Sequence, residues 1–182
     1  MRIDPSGALT ELPCVALPEG AWGGPPYEDV MAAVDGAVAD PRIDAERTAA
    51  IVTHASLWAL DQFGPTTDGA YCWAREMTPA MAQDNSPHRV VGKITTPMLV
   101  IHGDKDYRGP ICEALRLWYE LLTESGLPAA DDGTTSHRFL GFPSENHWVL
   151  SPQHAKIWCQ VVTAFLAEHV LGESVGLPET LG

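Results

Sequence analysis

The sequence predicts an α/β fold, with a mostly parallel sheet and helices on its faces. Three short apolar segments have the composition of strands, at residues 48–54, Met98–His102 and His137–Phe142. Segments with helical periodicity follow the second and third of them, at Pro110–Ser125 and at residues 151–172. Because strands that alternate with helices pair in parallel through crossover connections, this order predicts a parallel sheet covered by helices.

The chain before the first strand divides into an arm and a helix. Residues 1–20 are rich in Pro, Gly and small side chains, which indicates an irregular arm with a short strand around Cys14–Leu17. Over Pro26–Val38, valines recur every four residues, and this spacing predicts a helix with one apolar face. Residues 57–92 lack regular periodicity and are expected to form an irregular excursion above the sheet.

The second half of the chain carries the clearest helix signals. The Pro110–Ser125 segment places large apolar side chains on one face, and Gly126 follows it as the expected C-terminal cap. The last helix is expected to begin with Ser151 as its cap and to end at Gly172. We therefore divide the chain into an arm (residues 1–20), one domain (residues 21–172) and a tail (residues 173–182).

Composition and charge restrict the class of protein. The chain has 182 residues and a net charge of -13, so its surface should repel nucleic acid and anionic membranes. No apolar run is long enough for a membrane span and no signal peptide begins the chain, so we expect a cytoplasmic protein. The cysteines are scattered and are expected to be free thiols, and no residue spacing suggests a zinc site. The sequence predicts neither a metal nor another cofactor.

Two polar residues follow the last two predicted strands. Asp106 comes after Met98–His102, and His147 comes after His137–Phe142. The carboxyl ends of parallel strands meet at one edge of a sheet, so the Asp can accept a hydrogen bond from the imidazole and fix its tautomer. The other imidazole nitrogen can then take a proton from a hydroxyl. The sequence thus predicts an acid and a base of a catalytic triad at Asp106 and His147.

Each residue of this pair also has a plainer interpretation. A Gly-Asp-Lys-Asp turn is common in surface loops, and Asp104 competes with Asp106 for the role of the acid. His102 is explained equally well as a strand-end histidine that bonds to the backbone. His147 alone would more often be structural than catalytic. The pair is favoured because the two residues occur together, in this order and at strand ends.

The residues from about Ala21 to Gly172 resemble the catalytic domain of the prolyl oligopeptidase family of serine peptidases, which has the α/β-hydrolase fold. Within the family, the chain is most similar to acylaminoacyl-peptidases and dipeptidyl-aminopeptidase-like members. The matching segments are Trp22–Val30, Asn85–Pro87, Thr96–Asp106, Ala114–Leu115 and Phe142–His147. The resemblance implies that Asp106 is the triad acid, that His147 is the triad base and that a peptide is the substrate.

The chain departs from the family at the nucleophile. Family members carry a Gly-x-Ser-x-Gly turn, and this sequence contains none. Residues 42–50 resemble the approach to the strand before that turn, but the chain then continues into Ile51–Ser56, which resembles the next strand. The turn and the helix behind it are expected to be missing, which leaves a partial α/β-hydrolase fold. Gly109 stands where the family usually has a branched apolar residue and is expected to loosen the turn beside Asp106.

The missing turn leaves several hypotheses about function. Ser56 follows a strand and is the best substitute nucleophile on geometry, although it lacks the flanking glycines. Without a nucleophile we expect a peptidase-like domain that is inactive as this chain. The alternative is a non-catalytic remnant that dimerises or binds a partner through apolar faces left exposed by the missing elements. A third hypothesis is a hydrolase in which the acid–base pair activates water.

Overall fold

The computed structural model describes residues 24–47, 50–70 and 77–178. The predicted arm at residues 1–20, with its strand around Cys14–Leu17, lies outside the described residues. The regular elements are α1 (Pro25–Val38), β1 (Ile51–His54), α2 (Leu60–Thr66), α3 (Pro79–Asn85), β2 (Met98–Gly103), α4 (Ile111–Glu124), β3 (Arg138–Phe142) and α5 (Pro152–Leu166). Short 3-10 helices occupy Ala45–Arg47 and Pro87–Lys93, and a π-helical turn at Ala167–Leu171 continues α5.

The three strands form one parallel sheet in the order β1-β2-β3. Ile51 lies opposite Met98, and Leu99 lies opposite Arg138, so β2 is the central strand. Every residue of β2 is buried, as a continuous apolar run in a doubly covered strand predicts. The predicted parallel sheet with flanking helices is confirmed.

Side chains of β2 alternate between two apolar clusters on opposite faces of the sheet. Met98 and Val100 pack with residues of α4, chiefly Leu117 and Leu121. Leu99 and Ile101 pack on the other face with residues of β3 and α5, among them Leu140, Phe142, Val161 and Phe165. Both faces of the sheet are therefore covered. A functional site can be formed by side chains of the loops that follow the strands.

Two elements differ from the expectations. The first strand begins at Ile51 and is partly exposed rather than buried, because in the described residues it pairs only with β2 and its other edge is open. The stretch expected to be irregular contains α2 and α3, which bury Leu60, Phe63 and Ala82 against one another. Gly64 and Pro65 fall inside α2 and conceal its helical pattern in the sequence.

Two predicted helix caps are wrong in mechanism. Gly126 does not adopt the left-handed conformation, and a Cβ there would lie 2.6 Å from the carbonyl oxygen of Gly92, so glycine is needed for close backbone packing. The Ser151 side chain makes no capping hydrogen bond. Gly172, by contrast, ends the last helical turn with a φ of 71°, as a C-terminal glycine cap should.

A buried carboxylate joins α4 to the loop after β1. Glu113 is fully buried, and its Oε2 accepts hydrogen bonds from the backbone N–H groups of Trp58 (2.8 Å) and Ala59 (2.7 Å). Its Oε1 accepts a bond from Gln62 Nε2 at 2.9 Å. A buried charge is tolerated when hydrogen bonds replace its lost hydration, and here they also fix the path of the chain from β1 into α2.

Candidate active site

Asp106 and His147 meet at the carboxyl edge of the sheet, where the sequence places them. Asp106 lies in the turn after β2, and His147 lies in the loop after β3. The His147 Nδ1–H donates a hydrogen bond to Asp106 Oδ2 at 2.9 Å. The parallel neighbouring strands deliver the two loops to one place because their carboxyl ends point the same way.

The Asp106 carboxylate is held in one orientation by the turn that contains it. Asp106 is 3% exposed, and its Oδ1 accepts hydrogen bonds from the backbone N–H groups of Arg108 (2.9 Å) and Gly109 (2.8 Å). These two bonds occupy the oxygen that faces away from His147. The other oxygen is therefore already directed at the imidazole, so the carboxylate needs no reorganisation when a proton moves.

His102 supports the same turn from below. It is fully buried at the end of β2, and its Nε2–H donates to the Gly109 carbonyl oxygen at 2.6 Å, with Asp106 Oδ2 at 3.4 Å from the same nitrogen. Gly109 is thus bonded through both its amide and its carbonyl. A Cβ at Gly109 would lie 3.0 Å from the Ala55 carbonyl oxygen, so glycine fits the close approach of these two segments, and the loosening expected of the turn stays a prediction.

His147 presents its second nitrogen away from Asp106. The side chain is 41% exposed, and within the described part of the chain Nε2 makes no hydrogen bond. The His147 ring also makes a tilted contact with the Trp148 ring, at 6.5 Å between ring centroids. An imidazole with one nitrogen fixed by a carboxylate and the other open can accept a proton from an approaching hydroxyl or water.

The rival acid and the substitute nucleophile have other partners. Asp104 Oδ1 accepts a hydrogen bond from the backbone N–H of Ser144 at 2.7 Å, so Asp104 bonds to the loop of His147 rather than to its ring. The Ser56 hydroxyl contacts the Thr53 hydroxyl beside it. No hydrogen bond joins Ser56 to His147 in the described residues, and so the geometry does not bring Ser56 to the base.

His54 is a site neighbour that the sequence analysis placed only as a strand residue. It ends β1, and burial lowers the pKa of His54, with the nearby His102 and His147 acting in the same direction and Asp106 against it. Since an unfolded histidine has a pKa near 6.5, stability from neutral His54 is present above that pH and is lost as the pH falls below it. The available clue in the sequence was that His54, a titratable residue, ends a predicted strand, just as Asp106 and His147 follow the ends of the other two.

Among the residues that the structure describes, no group of three or more His, Cys, Asp or Glu side chains is arranged to hold a metal ion. Cys112 and Cys159 are free thiols. No helix within the described ranges has both the length and the apolar content needed to cross a bilayer.

The chain matches known proteins in sequence over most of its length. Residues 54–173 match the prolyl oligopeptidase family, and this segment includes all three strands' carboxyl ends together with Asp106 and His147. The chain belongs to the prolyl oligopeptidase family. The predicted resemblance is confirmed. A probable dipeptidyl-peptidase 5 from Emericella nidulans is 31% identical over 182 aligned positions, which cover 81% of this chain and 24% of the relative.

Solved structures show the fold that goes with this family. A Mycobacterium tuberculosis puromycin-hydrolyzing peptidase superposes with a TM-score of 0.70 at 18% identity, over 87% of this chain and 27% of that one. A Pyrococcus horikoshii acylaminoacyl peptidase gives a TM-score of 0.68 at 16% identity, over 84% and 29%. The chain has part of the α/β-hydrolase fold of these peptidases, as predicted. It spans between 10% and 24% of the length of the first curated relatives that it matches.

Proposed function

We propose that Asp106 and His147 are the acid and the base of a serine-peptidase triad, and that this chain does not hydrolyse peptides by itself. The 2.9 Å bond from His147 Nδ1–H to Asp106 Oδ2, with Nε2 left open, is the observation that carries the proposal. In a triad, the carboxylate fixes the imidazole tautomer and stabilises the imidazolium that forms. Nε2 then takes the proton of the nucleophile and later returns it to the leaving amine.

The absence of a nucleophile motif supports the second half of the proposal. The sequence contains no Gly-x-Ser-x-Gly, and the strained turn that such a motif makes is what raises a serine hydroxyl toward the base. The alignment with the Emericella nidulans relative runs over 182 positions but includes only 81% of this chain, so parts of the relative lie opposite gaps here. We propose that the nucleophile turn and the helix behind it are missing at the junction between residues 42–50 and Ile51–Ser56, where the sequence passes directly from one family-like segment to the next.

A peptide is the substrate class that the family supports for this site. The matched relatives and structures are peptidases by name, and their active sites belong to chains several times longer than this one. The proposed role of the present chain is therefore to supply the acid–base half of a peptide-hydrolysing site. The water-activating hypothesis has no specific contact in its favour, because no described side chain other than Asp106 bonds to His147.

Labelling with a fluorophosphonate probe tests the proposal. We expect the full chain to remain unlabelled, because no hydroxyl is activated by His147. A variant that carries, between Ala50 and Ile51, the strand, nucleophile turn and helix of the Emericella nidulans relative should be labelled at its inserted serine. His147→Ala in that variant should abolish labelling, and alanine at the inserted serine is the matched control.

Two outcomes would contradict the proposal. One is labelling of the unmodified chain at Ser56 or another serine that disappears with His147→Ala. The other is an insertion variant that melts cooperatively and still shows no labelling.

Self-association is a second candidate function, and α1 provides the observation in its favour. The apolar stripe of α1 is uncovered in the described residues, with Tyr27 62%, Val30 61% and Val34 45% exposed. No described strand pairs with the outer edge of β1 either, and exposed strand edges promote pairing between chains. We propose that a second copy of this chain covers the α1 stripe.

Sedimentation of the full chain tests this candidate. We expect a dimer or a larger assembly, and we expect the double substitution Val30→Glu with Val34→Glu to give a monomer because it places charges on the apolar stripe. Ala32→Glu, on the opposite side of α1, is the matched control and should leave the assembly intact. A native chain that sediments as a monomer at high micromolar concentration would exclude the candidate.

A further inference from the structure

Two carboxylates that the proposed chemistry does not use bind the loop that carries His147. We define the His147 loop as residues 143–151, between β3 and α5. Asp104, in the turn after β2, accepts the backbone N–H of Ser144 at 2.7 Å. The backbone N–H of Lys105 donates to the carbonyl oxygen of Glu145 at 2.9 Å. These bonds join the His147 loop to the turn that contains Asp106.

The Glu145 side chain bonds within the loop and to the helix after it. Its Oε2 accepts the backbone N–H of Leu150 at 2.9 Å, and its Oε1 accepts the backbone N–H of Ser151 at 3.1 Å and the Nδ1–H of His154 at 2.7 Å. The Glu145 carboxylate thus accepts backbone N–H groups at the start of α5, where the Ser151 side chain was expected to cap the helix. The bond from the Leu150 amide, more than any other contact, holds the pKa of Glu145 below its ordinary value.

The loop is strained and closely packed where these bonds hold it. Ser144 has a φ of 71°, a left-handed conformation that costs free energy in a residue other than glycine and persists only when neighbouring contacts enforce it. The loop also crosses Gly103 so closely that a Cβ there would lie 2.5 Å from the Asn146 carbonyl oxygen. The backbone on both sides of His147 is therefore determined by specific contacts.

The ring of His147 has little else to hold it. It is 41% exposed, so its position depends on the Asp106 bond and on the backbone that carries it. We propose that Glu145 is a positioning residue for His147, with Asp104 as a second point of attachment. Neither carboxylate touches the imidazole. The inference rests on the proposed function, since it assumes that the Asp106–His147 pair is the part of the site that must be positioned.

Proton NMR of the full chain with ¹⁵N-labelled histidine measures the consequence directly. The His147 Nδ1–H bonded to Asp106 should give a low-field resonance that His147→Asn removes and that Asp106→Asn moves upfield, because a neutral amide accepts more weakly than a carboxylate. The measured quantity is the rate at which this proton exchanges with water. We expect Glu145→Gln to raise that rate at least tenfold, because glutamine keeps only one acceptor oxygen for the three donors.

Matched controls separate positioning from general stability. Glu120 is 8% exposed against 7% for Glu145 and accepts hydrogen bonds from two side chains, Trp58 and Arg116, but it lies on α4, away from the His147 loop. Glu120→Gln should leave the exchange rate unchanged even though it weakens the bond to Trp58 Nε1. At the exposed Asp104, alanine should raise the rate, whereas Asp104→Asn keeps an acceptor oxygen for Ser144 and should restore it.

Each outcome decides between the two proposals. An exchange rate in Glu145→Gln equal to that of the native chain, or an equal rise in Glu120→Gln, overturns the positioning role. If Glu145→Gln does not melt cooperatively, the proton exchange rates of Asp104→Ala and Asp104→Asn are compared instead. Equal rates in these two variants then overturn the positioning role. A low-field resonance that persists unshifted in Asp106→Asn instead defeats the proposed acid–base pair, as does the absence of labelling in a folded insertion variant, whatever the Glu145 result.

Discussion

Glu113→Ala is expected to lower the free energy of unfolding by about 2–6 kcal/mol, at about 1–3 kcal/mol for each buried amide that loses its acceptor. The groups left without an acceptor are the backbone N–H of Trp58 and that of Ala59, which both donate to Glu113 Oε2. A loss of this size is comparable with the about 5–15 kcal/mol that holds a typical domain folded. Urea unfolding followed by tryptophan fluorescence measures it.

Two substitutions in the same helix serve as controls for Glu113→Ala. Glu113→Gln can keep its amide oxygen at the position of Oε2, so it should retain both amide bonds and lose only the bond from Gln62, at about 0.5–1.5 kcal/mol. The exposed Glu124→Gln should change stability by less than about 0.5 kcal/mol. If Glu113→Ala proved as mild as Glu124→Gln, the buried carboxylate would not be holding the loop after β1.

Gly103→Ala should separate His147 from Asp106. The added Cβ would lie 2.5 Å from the Asn146 carbonyl oxygen and 2.7 Å from that of Glu145, and both atoms belong to the backbone of the His147 loop. Backbone cannot move aside as a flexible side chain can, so the loop must shift. We expect a loss of about 1–3 kcal/mol in stability from the steric conflict. The rate of fluorophosphonate labelling in the insertion variant should fall by about 100-fold, since small misplacements of catalytic groups are costly.

Gly141→Ala is the matched control for Gly103→Ala. Gly141 lies on β3 in the same sheet, and among the described residues a Cβ there would meet only the Phe139 ring edge, at 3.4 Å. Its labelling rate in the insertion variant should stay within a few-fold of the unsubstituted rate. Equal rates for the two alanine variants would show that the contact at Gly103 does not set the position of His147.

The central part of the fold follows from the sequence because its pattern is strong. The continuous apolar run of β2 and the apolar face of α4 are long enough that the observed ends fall within one residue of the predicted ones. The short helices α2 and α3 were missed because each is stabilised by contacts with the other rather than by its own periodicity. The partial exposure of β1 depends on which strands lie beside it, and in the described residues only β2 does.

The site was predicted in part for a similar reason. Strand ends, residue type and the family resemblance indicate Asp106 and His147, and the coordinates add that Asp106 bonds to the His147 ring whereas the Asp104 carboxylate bonds to the Ser144 amide. The structural roles of Glu113 and Glu145 were not predicted, because glutamate side chains are usually exposed to solvent. Their burial depends on backbone amides that come together only in the folded chain.

The all-parallel sheet has a consequence for how this chain folds. None of its strand pairs is a hairpin: β1 and β2 are separated by α2 and α3, and β2 and β3 by α4. Each pairing must therefore close a long loop before any ladder bond forms, and high contact order slows folding. The edge that carries Asp106 and His147 needs β3 and the loop after it, so on a growing polypeptide the side of β2 that pairs with β3 stays open until that segment is available.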